Sequence, residues 1–453
     1  MLSLVNLITI IYIILLFRKK YPISLSMYWI VIFYAIYVFV PYIRHQTSIL
    51  SGISDSLVSS IAAYSLVGLL SFILTNSLFL FKWSRLERVN LIKQTEISHI
   101  NVKKLLTLFV IVSLILLVLS VGITGILSVF QSGSRNLWLH QTNDTILATF
   151  AELSSFYVGV LASVLVLSAS KNIDKKKSII IFIFILLSAS ILVFARRHVI
   201  YPLFAVIFYK LSKTVNKLKI FIVGICAFPL FFISMFFMGY FRTFGLHEFN
   251  VASVLSYLKN GKFMDIFISN TDFAASYKYL AAQINHEDIF VGPLGYFKLL
   301  FTFIPRSIWS DKPQYISVEV LSKLEPLKVS EGFSAASGYI GEAHAALGIG
   351  GIVIISSIWG LLCGILDKKY HYILNRRKNI QVLGGKPFGF TLFEFYYLYT
   401  AMLLITESHR GDFGAASIHF VLEIVLIGLI IKFSSKRLTL KNEISNHRTI
   451  YSK

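Results

Sequence analysis

Cysteine is nearly missing: the 453 residues hold two, Cys226 and Cys363, both inside apolar runs. Neither a disulfide framework nor a thiolate metal site can be built from them. Charge is scarce too, at 14% of residues against 56% hydrophobic. That leaves too little polar surface to coat soluble domains and assigns the chain to a membrane. Several chemistries lack their signatures. There is no G-x-x-x-x-G-K-[ST] to cradle a nucleotide, no D-x-D to hold a divalent metal on a nucleotide sugar, no H-E-x-x-H and no G-x-S-x-G. Metal-dependent and nucleotide-driven reactions are therefore not expected, and neither a cofactor nor a metal is assigned. A cleavable signal pattern is also lacking, because the apolar run 1–17 passes into Arg18, Lys19 and Lys20 without a small-residue cleavage site.

What the chain does have is apolar runs of bilayer length. They predict an all-α polytopic membrane protein with about 11 transmembrane helices, near 1–17, 24–43, 57–81, 105–130, 146–170, 178–195, 199–213, 218–241, 337–366, 388–406 and 415–433. A long outward-facing loop, 242–336, separates an N-terminal bundle (1–241) from C-terminal helices (337–433), and 434–453 forms a tail. The net charge of +21 could suggest nucleic acid, but the basic residues are shared among short loops and form no single face, so none is expected. Roughly two thirds of the Lys and Arg fall on alternate loops, which the positive-inside rule assigns to the cytoplasm. The N-terminus is then outside and the C-terminus inside.

Beyond the long loop, the basic residues of the outer side are all arginine: Arg44, Arg135, Arg196, Arg197 and Arg410. Lysine suffices for orientation, whereas a planar guanidinium that donates in pairs suits phosphate. The alternative is that they snorkel to outer headgroups. Arg196 and Arg197 are the sharpest case. Only roughly 11 residues separate them and His198 from Lys210, about 16 Å of helix. The pair is then recessed below the outer surface, in water or against an anion, unless the helix boundary is slid.

The long loop carries Arg242 at its start and the run 292–309, too apolar for water and too short before Pro305 to span. An interfacial or re-entrant helix fits both facts. Ile304, preceding proline, should leave that helix and place Arg306 just past its end; a buried packing helix with Arg306 in a surface salt bridge is the alternative. Glu342 and His344 open the next apolar run. Two positions on a helix differ by about 200°, so both cannot face one cavity unless the helix is broken there, and the glycines between 338 and 351 make distortion or close packing an expectation. The last outer hairpin, ESHRGDFG (407–414), adds His409, Arg410 and Asp412. Tyr257, Phe273, Tyr277, Tyr279 and Tyr315 in the loop serve either as sugar-stacking platforms or as interfacial anchors.

Outward arginines with a few carboxylates and histidines at headgroup depth suit one chemistry. They would bind a lipid-linked pyrophosphate donor, neutralise its departing diphosphate, and use a carboxylate or histidine to take a proton from an acceptor hydroxyl. The stretches FIPRSIWSDKP (303–313), SGYIGEAHAALGIGG (337–351) and RGDF (410–413) resemble those of bacterial oligosaccharide repeat-unit polymerases of the Wzy type, which include O-antigen and capsule polymerases. The resemblance implies a metal-independent inner-membrane glycosyltransferase that moves a growing glycan from undecaprenyl diphosphate onto the next lipid-linked repeat unit. Its partners are that lipid-linked oligosaccharide, membrane lipid and a chain-length regulator protein, the last not identified by the sequence. The resulting site expectation is Glu342, His344, His409 and Asp412 as acid–base candidates, and Arg135, Arg196, Arg197, Arg242, Arg306 and Arg410 on the diphosphate. An O-antigen ligase and a flippase or transporter of lipid-linked oligosaccharide remain the alternatives.

Overall fold

The structure is a computed structural model that describes residues 26, 30, 34, 54–82, 96–132, 145–169, 172–193, 197–212, 252, 256, 272–285, 289–298, 304, 308–330, 337–382, 389–400 and 425–434. Its elements are α1 (Asp55–Lys82), α2 (His99–Ser132), α3 (Thr145–Ser168), α4 (Asn172–Val193), α5 (Arg197–Ser212), α6 (Asp272–Asn285), a 3-10 helix (Pro293–Phe297), α7 (Ile316–Leu324), α8 (Pro326–Ser330), α9 (Gly338–Val382) and α10 (Leu426–Ser434). A further helical run occupies 392–400. The described residues contain no strand, only an isolated antiparallel bridge between Glu96 and Thr391. The spans expected at 57–81, 105–130, 146–170, 178–195 and 199–213 fall on α1 to α5 in turn. Those expected at 1–17 and 218–241 lie outside the described residues. Among the described residues three helices are long and apolar enough to cross a membrane: Asp55–Leu78, His99–Ser120 and Gly338–Val382.

The chain divides into two compact units, Met1–Ser84 with Val254–His371 and Thr400–Leu422, and Arg85–Ser253 with Tyr372–Tyr399 and Glu423–Lys453. In the first unit, Ser54 starts α1 by accepting the amide of Leu57 on its hydroxyl (3.3 Å), with Asp55 in the first turn where the helix dipole favours an anion. The helix then turns polar residues inward. Ser65, Asn76 and Ser77 are buried among Ile61, Leu69 and Phe72, while Leu74 and Leu78 are exposed. In water that pattern would be inverted; it is stable where the outer solvent is hydrocarbon and the interior gains from small residues and hydrogen bonds.

Gly360 of α9 packs against α1 so closely that a Cβ would meet the Phe72 carbonyl and the Thr75 hydroxyl. The Thr75 hydroxyl itself is held by the carbonyls of Ser71 (2.7 Å) and Phe72 (3.1 Å), so neither neighbour yields cheaply. Gly360→Leu is expected to destabilise the protein by about 1–3 kcal/mol through overpacking, read as a lowered unfolding midpoint in detergent; an unchanged midpoint would show that the two helices separate freely. Two turns further on, Asp367 is buried and accepts hydrogen bonds from the Ser26 hydroxyl and from Asn76 Nδ2 (3.0 Å). Ser26 shares a buried helical face with Ile30 and Tyr34, at four-residue spacing.

In the second unit α3 is the central helix, packed by α2, α4 and α5. Its run Val158–Leu167 is buried nearly all round, as a helix without a polar face must be. Leu108, Ile111, Ile115 and Leu119 of α2, and Ile180, Ile183 and Phe184 of α4, face outward. The helical run 392–400 begins with a capping box: Thr391 accepts the Glu394 amide on its hydroxyl (3.3 Å), and Glu394 Oε2 accepts the Thr391 amide (2.8 Å). Arg377 then donates to both Glu394 oxygens, at 2.6 and 2.9 Å, and to the Gly389 carbonyl at 2.7 Å.

Candidate functional site

Apart from the half-buried His344, the first nine residues of α9 are small or buried because other elements close on them from two sides. Ala343, Tyr339, Ile340 and Ile352 pack with Ile61 of α1 and with Tyr277, Leu280 and Ala281 of α6. Ala345 and Ala346 pack with Ile316, Val320 and Leu321 of α7 and with Ile289. Tyr277, expected at a surface, is thus a core residue. The helix begins at Gly338, whose φ of 74° suits glycine, and it breaks at Gly348 (φ 64°, ψ −151°). The Ala345 carbonyl accepts from Val291 N at 2.9 Å, which ties the segment before the 3-10 helix to α9.

The glycine-rich run is distorted as expected, but after both ionisable residues and not between them. Glu342 and His344 therefore remain on one regular turn and diverge. His344 is half-buried and stacks on Tyr64 of α1, with ring centroids 5.4 Å apart. Glu342 is only 1% exposed and lies within electrostatic reach of Tyr296, in the 3-10 helix of the loop. Burial, and after it the Glu342 charge, push the Tyr296 phenol well above the ordinary phenol range. The phenol stays protonated beside the carboxylate.

Two buried polar side chains approach the same turn from outside it. Gln283 of α6 (1% exposed) and Ser337 (2% exposed) leave their amide and hydroxyl atoms without protein hydrogen-bond partners. Both converge on Gly341, where a Cβ would stand 2.8 Å from Gln283 Oε1 and 2.7 Å from Ser337 Oγ. Sequence reasoning passed over Gln283 and Tyr296 because neither carries a charge, and it is charge that marks a functional residue in an apolar chain.

In the loop, the run read as an interfacial helix starts as the 3-10 helix and reaches a bend at Ile304, so the residue before Pro305 is non-helical as expected. The Ile304 carbonyl accepts from Lys312 Nζ at 2.9 Å, which explains why a lysine is buried there. Phe290, Leu294, Phe297 and Ile308 of the same segment are exposed. Arg197 opens α5, whose Pro202 lies inside the helix; its side chain, like Arg135, Arg196, Arg242, Arg306, His409, Arg410 and Asp412, lies outside what the structure describes. Of the expected site residues, the structure thus places the side chains of Glu342 and His344.

A family model described as O-antigen polysaccharide polymerase Wzy matches residues 1–383. The match takes in the stretches 303–313 and 337–351 and stops before the hairpin 407–414. No curated protein and no solved structure matches the chain.

Proposed function

The chain belongs to the O-antigen polysaccharide polymerase Wzy family, and from that membership we propose a metal-independent transfer of glycan between lipid carriers, with Glu342 as the base. Membership makes the chain an integral membrane protein of O-antigen polymerisation. The donor in this reading is a glycan on undecaprenyl diphosphate, and the acceptor is the sugar end of the next lipid-linked repeat unit. The hydroxyl oxygen of the acceptor bonds to the anomeric carbon of the donor while the bond from that carbon to the diphosphate oxygen breaks. Undecaprenyl diphosphate leaves with the bonding electrons, and the hydroxyl proton passes to Glu342. Arg306 and Arg410, with Arg135, Arg196, Arg197 and Arg242, neutralise the departing diphosphate. The reaction side faces outward in the bacterial cytoplasmic membrane, with the N-terminus outside and the C-terminus in the cytoplasm.

What carries the reading is the family match across residues 1–383. The burial of Glu342 beside a protonated phenol supports its role, since a carboxylate is costly there without a function. The test supplies the purified protein in vesicles with its lipid-linked repeat unit and follows product length on a gel, with and without chelator. A ladder of multiples that survives chelator, and that Arg306→Lys and Arg410→Lys each reduce by at least tenfold, is the expected result, because a point charge does not replace a bidentate fork. A single addition to a different acceptor would make the protein a ligase; intact single units crossing the vesicle membrane would make it a transporter.

A further inference from the structure

We propose that Gln283 and Ser337 form a subsite that binds a sugar hydroxyl of the acceptor repeat unit at the first turn of α9. The inference rests on the polymerase reading for the identity of the sugar, and on the geometry for the place. A primary amide with both its oxygen and its nitrogen unpartnered, on a residue 1% exposed, is an uncommon arrangement in a folded protein. Here a serine hydroxyl, 2% exposed and equally unpartnered, accompanies it. The two groups meet over Gly341, so closely that a Cβ on that residue would collide with both.

The chemistry of this trio selects its ligand. An amide offers both a donor and an acceptor, and a hydroxyl offers the same. The helix start contributes N–H groups that lack partners within the helix. Glu342 follows Gly341 directly, and its carboxylate disfavours a second anion at the same spot. A phosphate would leave the amide oxygen of Gln283 without a donor and would meet that carboxylate. A sugar hydroxyl donates a hydrogen bond to one group and accepts one from another, and it arrives beside the residue proposed to take the reacting proton. Gln283 and Ser337 thus bind the acceptor, whereas the arginines act on the donor diphosphate.

The probe is the repeat-unit oligosaccharide released from its carrier, which contains the hydroxyls and no diphosphate. Its binding to the full-length protein in nanodiscs is measured by calorimetry, and elongation of the lipid-linked unit is measured in parallel, for wild type, Gln283→Leu and Ser337→Ala. Gln283→Leu is expected to weaken oligosaccharide binding by about tenfold and to raise the half-saturating acceptor concentration more than it lowers turnover. The unfolding midpoint is expected to hold or rise, since an unpartnered buried amide gives way to an apolar group of similar size. Ser337→Ala is expected to shift the same two readouts by a smaller factor. Binding equal to wild type in both variants overturns the subsite and makes the pair a structural, water-satisfied feature; if the ladder still forms, the polymerase reading survives that loss. Weakened oligosaccharide binding in a protein that forms no ladder keeps the subsite and removes the polymerase reading.

Discussion

Glu342→Gln is expected to lower chain elongation by roughly 10²–10⁴-fold, the usual contribution of a positioned general base, while the unfolding midpoint stays the same or rises. The two halves of that expectation have separate causes. Glutamine keeps the volume and the hydrogen-bonding shape of a residue that is 1% exposed, so the packing of Ala343 on α1 and α6 and of Ala345 on α7 is preserved. It also removes the desolvation cost of a buried negative charge. What it cannot do is accept the acceptor's proton. A structural carboxylate would show the opposite signature, with activity retained and stability altered. His344 supplies the contrast. Its ring stacks on Tyr64, on another side of the helix, so His344→Phe keeps the stacking and is expected to retain far more elongation than Glu342→Gln. A single-turnover assay, in which preloaded lipid-linked units are followed through one addition, separates the proton step from substrate binding; full single-turnover rate in Glu342→Gln would remove Glu342 from the chemistry.

Helix positions were legible in this sequence because apolar length alone specifies them. The expected spans from 57 to 213 coincide with α1 to α5 with ends up to six residues off. The end of α9 was not legible in the same way. Hydropathy falls at Asp367, yet the helix continues to Val382, and Asp367 itself is held by Ser26 and Asn76, partners 341 and 291 residues away in sequence. No window reading can supply such partners. The distortion at the glycine run was readable from composition, but its place at Gly348 was not. The capping box at Thr391 was present as T-x-x-E before an apolar run and could have been found by its spacing. Gln283 carried no such signal: its meaning comes from its contact with Gly341 where α6 packs on α9, and only three-dimensional proximity reveals it.

Glu394→Ala is expected to destabilise the protein by about 3–5 kcal/mol, the cost of leaving a buried charge without its partner. The Arg377 side chain is 9% exposed and that of Glu394 fully buried. The guanidinium spans both carboxylate oxygens, at 2.6 and 2.9 Å, so the pair is a planar fork and not a point contact. The same carboxylate also takes the Thr391 amide and hydroxyl, at 2.8 and 3.0 Å, and so fixes the start of the helical run 392–400. Glu96 extends the arrangement by accepting the Gly389 amide at 2.8 Å, while Ile97 N donates to the Phe390 carbonyl at 2.9 Å. Losing Glu394 therefore removes the arginine's counter-charge and a helix cap in one step. Arg377→Lys is expected to recover little, because an ammonium cannot donate along two parallel lines. The double change Arg377→Met with Glu394→Leu is the decisive comparison. It removes both charges, and on the behaviour of buried ion pairs it should recover much of the stability lost by Glu394→Ala, leaving the cost of the lost cap, about 1 kcal/mol. Equal unfolding midpoints for Glu394→Ala and the double variant would instead place the loss in the cap and the loop, and would mean that the ion pair itself contributes nothing to holding this unit together.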